Sequence, residues 1–255
     1  MPALLQRHAS TLVFLVALLL WECACRLVPI PQYMLPAPSA VWLAGVEMGL
    51  QHWLEHIAAT LQVALAGYAL AIALAIPLAM AITRSSLLSR ILMPWMVIIQ
   101  STPIVAVAPI IVVSLGTGLL PRALITTLIA FFPLLVSTAL GLSNVPEELL
   151  ELSRSLRASS SRQYWQIRMP FALPHVFSAL QVSMTLAIVG AVVAEFVAAE
   201  QGLGYLILFA TSSFKMPIAF AALGLLVLCS LLLYAAVQQL HKALFPWSEQ
   251  STAAS

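Results

Sequence analysis

His52, Glu55 and His56 stand in the order His-x-x-Glu-His. On a helix the two imidazoles share one face, which is how an intramembrane or soluble zinc protease of that pattern holds its metal. Such a site needs a third ligand. The other histidines, His8, His175 and His241, are distant in sequence. The plainer reading is a polar helix end at the outer surface of a membrane. Other catalytic material is scarce. All nine acids are Glu, and there is no Asp. The only lysines, Lys215 and Lys242, have no Gly before them and no Ser or Thr after them, so there is no phosphate-cradling P-loop. Cys23, Cys25 and Cys229 are odd in number and give no disulfide framework.

The remaining polar residues with chemical potential lie inside apolar runs. Gln100-Ser101-Thr102-Pro103 interrupts one of them, and Gln181, Ser183 and Thr185 sit in another. In lipid such side chains must face a cavity or a neighbouring helix. Both readings stand for each: lining a substrate path, or bonding between helices. Glu195 lies near the outer end of an apolar run. An acid there is costly unless wet or paired, so it is a candidate gate residue, with interfacial solvation as the alternative.

The elements that carry these residues follow from composition. The chain has 255 residues, 62% of them hydrophobic and 8% charged, with a net charge of +2. Its mean hydropathy is +1.03. Soluble domains carry about 25% charged residues, so lipid must be much of this protein's solvent. No basic run suggests a nucleic-acid partner. A bilayer core takes about 20 apolar residues in helix. Six runs qualify: Thr11 to Val28, Ile57 to Thr83, Ile91 to Pro121, Ala123 to Pro146, Met169 to Ala194 and Met216 to Leu240. Trp21 to Arg26 is a poor cleavage site, so the first run reads as a retained helix rather than a signal peptide. Within it Glu22 and Arg26 are spaced to pair on one face.

Six spans put both termini on one side. With the termini inside, that side holds Arg7, Arg84, Arg90, Arg154, Arg157, Arg162, Arg168 and Lys242, against Arg26, Arg122 and Lys215 outside. The excess of cations places the termini in the cytoplasm. Outside, Pro29 to His56 should open extended, because it is proline-rich. Ser39 could then cap a short interfacial helix carrying Val41, Trp42 and Trp53. Gly202 to Phe214 is apolar but too short to span, which suggests a re-entrant or interfacial piece.

The large inner loop, residues 144–170, reads as a helical elbow. Pro146 suits a helix start, and Glu147 and Glu148 suit its positive end. Leu149, Leu152 and Leu156 recur at helical spacing. Ser159 to Ser161 interrupts the pattern, and a second short helix with Tyr164, Trp165 and Ile167 leads to Pro170. An apolar face on such an elbow must be buried against something, either a partner or the protein's own membrane helices.

This loop resembles the EAA loop of binding-protein-dependent ABC importer permeases. Glu151 matches the Glu of that pattern, and Ile167 and Pro170 fall at its offsets. Met169 stands for the usual Leu, Leu152 and Ser153 for two Ala, and Arg157 for the usual Gly. An Arg there would have to take a left-handed conformation that Gly adopts freely. Thr60-Leu61 to Gly67-Tyr68, Val193 to Phe196 and Gly202 to Ile207 also look like parts of that family. The resemblance covers about residues 55–245. It implies an all-α, polytopic fold with six transmembrane helices and a cytoplasmic coupling-helix loop. Residues 1–56 would be an N-terminal transmembrane helix with an external interfacial segment, 57–245 the core permease domain, and 246–255 a cytoplasmic tail.

The resemblance also implies a role. The chain would be the permease subunit in the inner or plasma membrane of a prokaryote, paired with a second copy as a homodimer. Glu151, Leu152, Ser153, Leu156, Arg157, Ala158, Ser159, Ile167 and Pro170 would couple it to cytosolic ATPase subunits. Those subunits would bind the ATP and Mg, and this chain would need no cofactor. An external binding protein would deliver substrate to a path whose candidates are Gln100, Ser101, Thr102, Gln181 and Glu195. Ala194 to Val197, Gly202 to Tyr205 and Leu244 to Trp247 look closer to permeases for thiamine-pyrimidine precursors and riboflavin than to those for nitrate, taurine or aliphatic sulfonates. No Arg or Lys stands inside a span to counter an anion. A small neutral heteroaromatic nutrient is therefore expected, with sulfonate, taurine or nitrate second. An ion-coupled carrier acting alone is the rival class, with Glu22 and Glu195 as its only candidate proton relays.

Overall fold

The computed structural model describes residues 2–28 and 30–245. Pro29 and the expected tail, with Pro246 and Trp247, lie outside the described residues. The elements are α1 (Pro2–Leu27), α2 (Pro38–Glu47), α3 (Leu50–Arg84), α4 (Ser86–Ser101), α5 (Ile104–Leu115), α6 (Leu119–Ser143), α7 (Glu147–Ser155), α8 (Ser160–Gln163), a π-helical turn (Tyr164–Arg168), α9 (Met169–Ala198), α10 (Leu203–Ser212) and α11 (Met216–Leu244). The protein is all-α, as expected.

Four helices, Leu50–Arg84, Leu119–Ser143, Ser160–Ala198 and Met216–Leu244, are long and apolar enough to cross a bilayer. The α4 and α5 pair passes the same test together but is bent by 93°. Length and apolarity thus give four or five spans among the described residues, where six were expected. α1 forms over the first expected span, with Glu22 and Arg26 near its end.

Three boundaries differ from expectation for identifiable reasons. α3 begins at Leu50, not Ile57, because its break is set by Gly49 at φ 78 rather than by polarity. The single run Ile91 to Pro121 breaks at Thr102 and Pro103. Thr102 is extended (ψ 124) because Pro103 follows it. The chain does not break before Pro170 either. A π turn replaces the expected join, and the Met169 N–H reaches back five residues to Tyr164 O. This wider turn accommodates a residue without an N–H.

The contacts divide the chain into two compact units, Met1–Ala59 with Gln201–Val227, and Thr60–Glu200 with Leu228–Ser255. In the second unit α6 is the most buried helix and packs chiefly on α9. Lipid tails are as apolar as Leu, so close approach of small residues holds such helices together. Gly190 of α9 lies against Thr126 of α6, where an added Cβ would stand 2.7 Å from the Thr126 Cα. Gly141 of α6 lies as closely on His175 of α9, at 2.7 Å from its Cβ. Gly67 of α3 also approaches Thr126 closely. Thr127 Oγ1 lies 3.1 Å from Gly67 O and 2.7 Å from Ala123 O, so its one proton is shared between neighbouring helices.

In the first unit Glu22 of α1 is a junction. Its carboxylate pairs with Arg26 at 2.6 Å, as their spacing suggests. It also accepts from the Ser39 N–H at 3.0 Å and the Ser39 hydroxyl at 2.8 Å. Ser39 was expected to cap α2. Instead α2 starts one residue earlier at Pro38, and the cap acceptor comes from Glu22. Trp53 is buried and donates to Gly45 O at 2.7 Å, while Trp42 on α2 is 74% exposed.

Candidate functional site

The elbow is built from α7 upward. Pro146 is its N-cap, with Glu147 and Glu148 in the first turn where the helix end is positive. Leu150 and Ser153 are buried, whereas Leu152 is 57% and Leu156 74% exposed. Of the expected stripe, Leu149 is half-buried while Leu152 and Leu156 are exposed. Leu150 and Ser153 face the protein and Leu152 and Leu156 face out, and Glu151, next to Leu152, is exposed as well. Ser153, one of the expected coupling residues, is an inward residue. Its hydroxyl donates to Leu150 O at 2.9 Å.

α7 ends in a Schellman turn. The Ala158 N–H closes on Ser153 O at 3.0 Å and the Arg157 N–H on Arg154 O at 2.9 Å. Arg157 occupies the left-handed position between them, at φ 55. The strain for a residue with a Cβ is about 1–2 kcal/mol. The geometry expected for a glycine is kept with an arginine in place. Ser159 then caps α8, accepting from the Arg162 N–H at 3.3 Å, and is exposed, while Ala158 is half-buried.

The second half of the elbow is its anchor. Gln163 Nε2 donates to Leu150 O at 3.2 Å and to the Ser153 hydroxyl, tying α8 to α7. Tyr164 is buried with Leu142 and Ala172, and the Arg84 guanidinium lies over its ring. Arg168 donates to Leu142 O at 3.1 Å. Ile167 is half-buried and Pro170 exposed. Sequence reasoning missed Arg84, Gln163 and Arg168 as elbow residues. No local signal marks them, because their partners are tens of residues away or depend on the π turn.

The polar residues of the apolar runs fall in two places. Gln100, Ser101 and Thr102 form the 93° corner between α4 and α5, and all three are exposed. Ser101 Oγ donates back to Val97 O at 2.7 Å and Thr102 Oγ1 to Ile98 O at 3.2 Å. Such back-bonding satisfies a hydroxyl in lipid and favours a bend. On α9 Gln181 is half-buried, Thr185 exposed and Ser183 fully buried. Glu195 is 1% exposed, so interfacial solvation is not its setting.

The His-x-x-Glu-His pattern has a different use. His56 Nδ1 accepts the Gly202 N–H at 3.1 Å, and its ring stacks on Tyr205 with centroids 6.2 Å apart. Gly202 stands at φ 126, a conformation that side chains strain to reach, so His56 fastens the glycine turn that starts α10.

Known proteins resemble this chain along most of its length. Residues 71–246 match the family described as "Binding-protein-dependent transport system inner membrane component". The chain is 31% identical over 245 residues to the formylaminopyrimidine transport permease protein ThiX of Halalkalibacterium halodurans, covering 96% of this chain and 98% of that one. It is 35% identical over 237 residues to the riboflavin transport system permease protein RibX of Chloroflexus aurantiacus, covering 91% and 87%. To the taurine transport system permease protein TauC of Escherichia coli it is 27% identical over 239 residues, covering 91% and 86%. Its fold is similar to a chain of the MetNI methionine ABC transporter in inward-facing conformations, with a TM-score of 0.62 and 20% identity over 72% of this chain and 92% of that one. The chain belongs to the binding-protein-dependent transport system inner membrane components, the permease subunits of ABC importers.

Proposed function

We propose that this permease imports a small neutral heteroaromatic nutrient of the thiamine-pyrimidine-precursor or riboflavin kind, and that its elbow couples the path to the ATPase. As a family member the chain is a multi-pass transporter subunit and not an enzyme, and ATP is hydrolysed in a separate chain. The observation that carries the coupling role is the two-sided elbow. Leu150, Ser153 and Tyr164 fasten it to its own helices, while Leu152 and Leu156 remain exposed. A helix held firmly on one face and apolar on the other is suited to docking in a groove of a partner. Glu151, Arg157, Ala158 and Ser159 lie on or beside that outer face, with Ile167 and Pro170 in the anchor.

The elbow and both termini are assigned to the cytoplasm on the cation distribution, and the core permease to residues 57–245 on the family resemblance. One elbow per chain and a broken helix with exposed polar residues at its corner favour a two-fold pair of permeases enclosing a path. Gln100, Ser101, Thr102, Gln181 and Glu195 are assigned to that path.

The substrate assignment rests on the permeases ThiX and RibX matching at 31% and 35% identity, against 27% for TauC. TauC keeps a sulfonate as the second reading. Uptake by membrane vesicles holding the whole transporter discriminates them. A labelled formylaminopyrimidine or riboflavin should enter with ATP and binding protein, and excess taurine or nitrate should not compete. Uptake of taurine or nitrate alone overturns the substrate assignment.

A further inference from the structure

Arg157 combines a left-handed backbone that its place in the turn requires with a long cationic side chain that it does not. Its backbone is at φ 55, where a glycine would sit without strain. Its side chain is exposed, and among the described residues its guanidinium makes no hydrogen bond or ion pair. Backbone strain that the surrounding fold holds in place tends to accompany function. The fold does hold it, through the Ala158 and Arg157 N–H bonds that close the end of α7. Exposed neighbours include Leu156, one residue before, Arg154, one turn earlier on α7, and the serines Ser155 and Ser159. The tip of the elbow is thus an apolar anchor beside two cations.

We infer that Arg157 is a specificity residue, pairing with a carboxylate of the ATPase at the rim of the groove that receives Leu152 and Leu156. This deepens the docking role proposed above and rests on it. Charge complementarity at a rim selects partners and register more than it adds affinity. An ATPase lacking that carboxylate would leave the guanidinium desolvated and unpaired beside the leucines, so the residue rejects as well as attracts. The planar fork of Arg suits two-point recognition of a carboxylate, which Lys cannot reproduce.

The glycine variant makes the test decisive. Arg157→Gly removes the side chain and also relieves the backbone, so a passive Arg157 predicts equal or tighter binding in the variant. The permease in lipid nanodiscs is titrated with its own ATPase at low and at high salt, for wild type, Arg157→Gly, Arg157→Lys and Leu156→Ala. Arg157→Gly should weaken binding about tenfold at low salt, with the difference shrinking at high salt as screening removes the pair. Arg157→Lys should retain part of the affinity. Wild-type affinity in Arg157→Gly at both salts, or a loss unaffected by salt, overturns the inference while a weakened Leu156→Ala leaves the docking role intact. Wild-type affinity in Leu156→Ala overturns the docking role itself.

Discussion

The guanidinium carbon of Arg84 lies 4.8 Å from the centroid of the Tyr164 ring. That contact joins the last residue of α3 to the first residue of the π turn, and so the elbow to a helix long enough to cross the membrane. A cation over a ring contributes about 0.5–2 kcal/mol, more when water is excluded. Arg84→Met keeps the stem and removes the charge. It should leave ATPase binding near normal, because Leu152 and Leu156 are untouched, and lower the substrate carried per ATP severalfold. The ratio of uptake to ATP hydrolysis in proteoliposomes measures this. An unchanged ratio would show that force does not pass through this contact.

Gly190 marks a point of low tolerance in the membrane core. A methyl group there meets the Thr126 backbone at 2.7 Å, and helix backbone does not yield as a flexible side chain does. Overpacking of this kind costs about 1–3 kcal/mol. Gly190→Ala should lower the thermal stability of the detergent-solubilised protein, and Gly190→Val should abolish folded yield. Gly224, whose Cβ would meet nothing within 4 Å, is the control: Gly224→Ala should be silent.

The orientation assigned here is checked by labelling. Cysteines introduced at Ser160 and Gln51 are both exposed positions. In intact cells an impermeant thiol reagent should reach position 51 and not position 160, measured against a background lacking Cys23, Cys25 and Cys229. Equal labelling of both would reject the topology.

Glu195 is assigned to the path, and a buried acid in a membrane protein is retained at a cost. Glu195→Gln preserves shape and hydrogen-bonding capacity while removing the charge. Uptake should fall about tenfold or more, while ATPase binding stays normal. Normal uptake in the variant would assign Glu195 to helix packing.

The elbow was legible because its signals are local. Pro146, the two following glutamates and the leucine spacing mark α7, and the left-handed turn falls at the family's glycine position although Arg157, which argued against that geometry, stands there at φ 55. What sequence could not give was which leucines face outward. Leu149 and Leu150 are equally apolar, and the choice of Leu150 as the inward one goes with a tie from Gln163 to its carbonyl, 13 residues away in sequence. Polarity also misplaced helix ends. His52, Glu55 and His56 are polar yet helical, because nothing between the Gly49 break and Arg84 ends the helix. The corner at Thr102 was legible in Pro103, which turns the residue before it out of the helix. A proline within a helix is tolerated at Pro133 and Pro174, where neighbours pack closely, and not at Pro103. The capping of α2 by Glu22 depends on a partner 17 residues away in sequence, which no local pattern shows.

The central claim is that the outward face of α7 receives the ATPase. Truncating an apolar anchor in a desolvated pocket commonly costs about 2 kcal/mol, or about thirtyfold in affinity. The direct measurement is a pull-down of the ATPase with uptake on the same membranes, for Leu156→Ala and Glu151→Ala at matched permease levels. Both variants should reach the membrane, bind the ATPase weakly and fail to transport. Full ATPase binding with normal uptake in both would contradict the account.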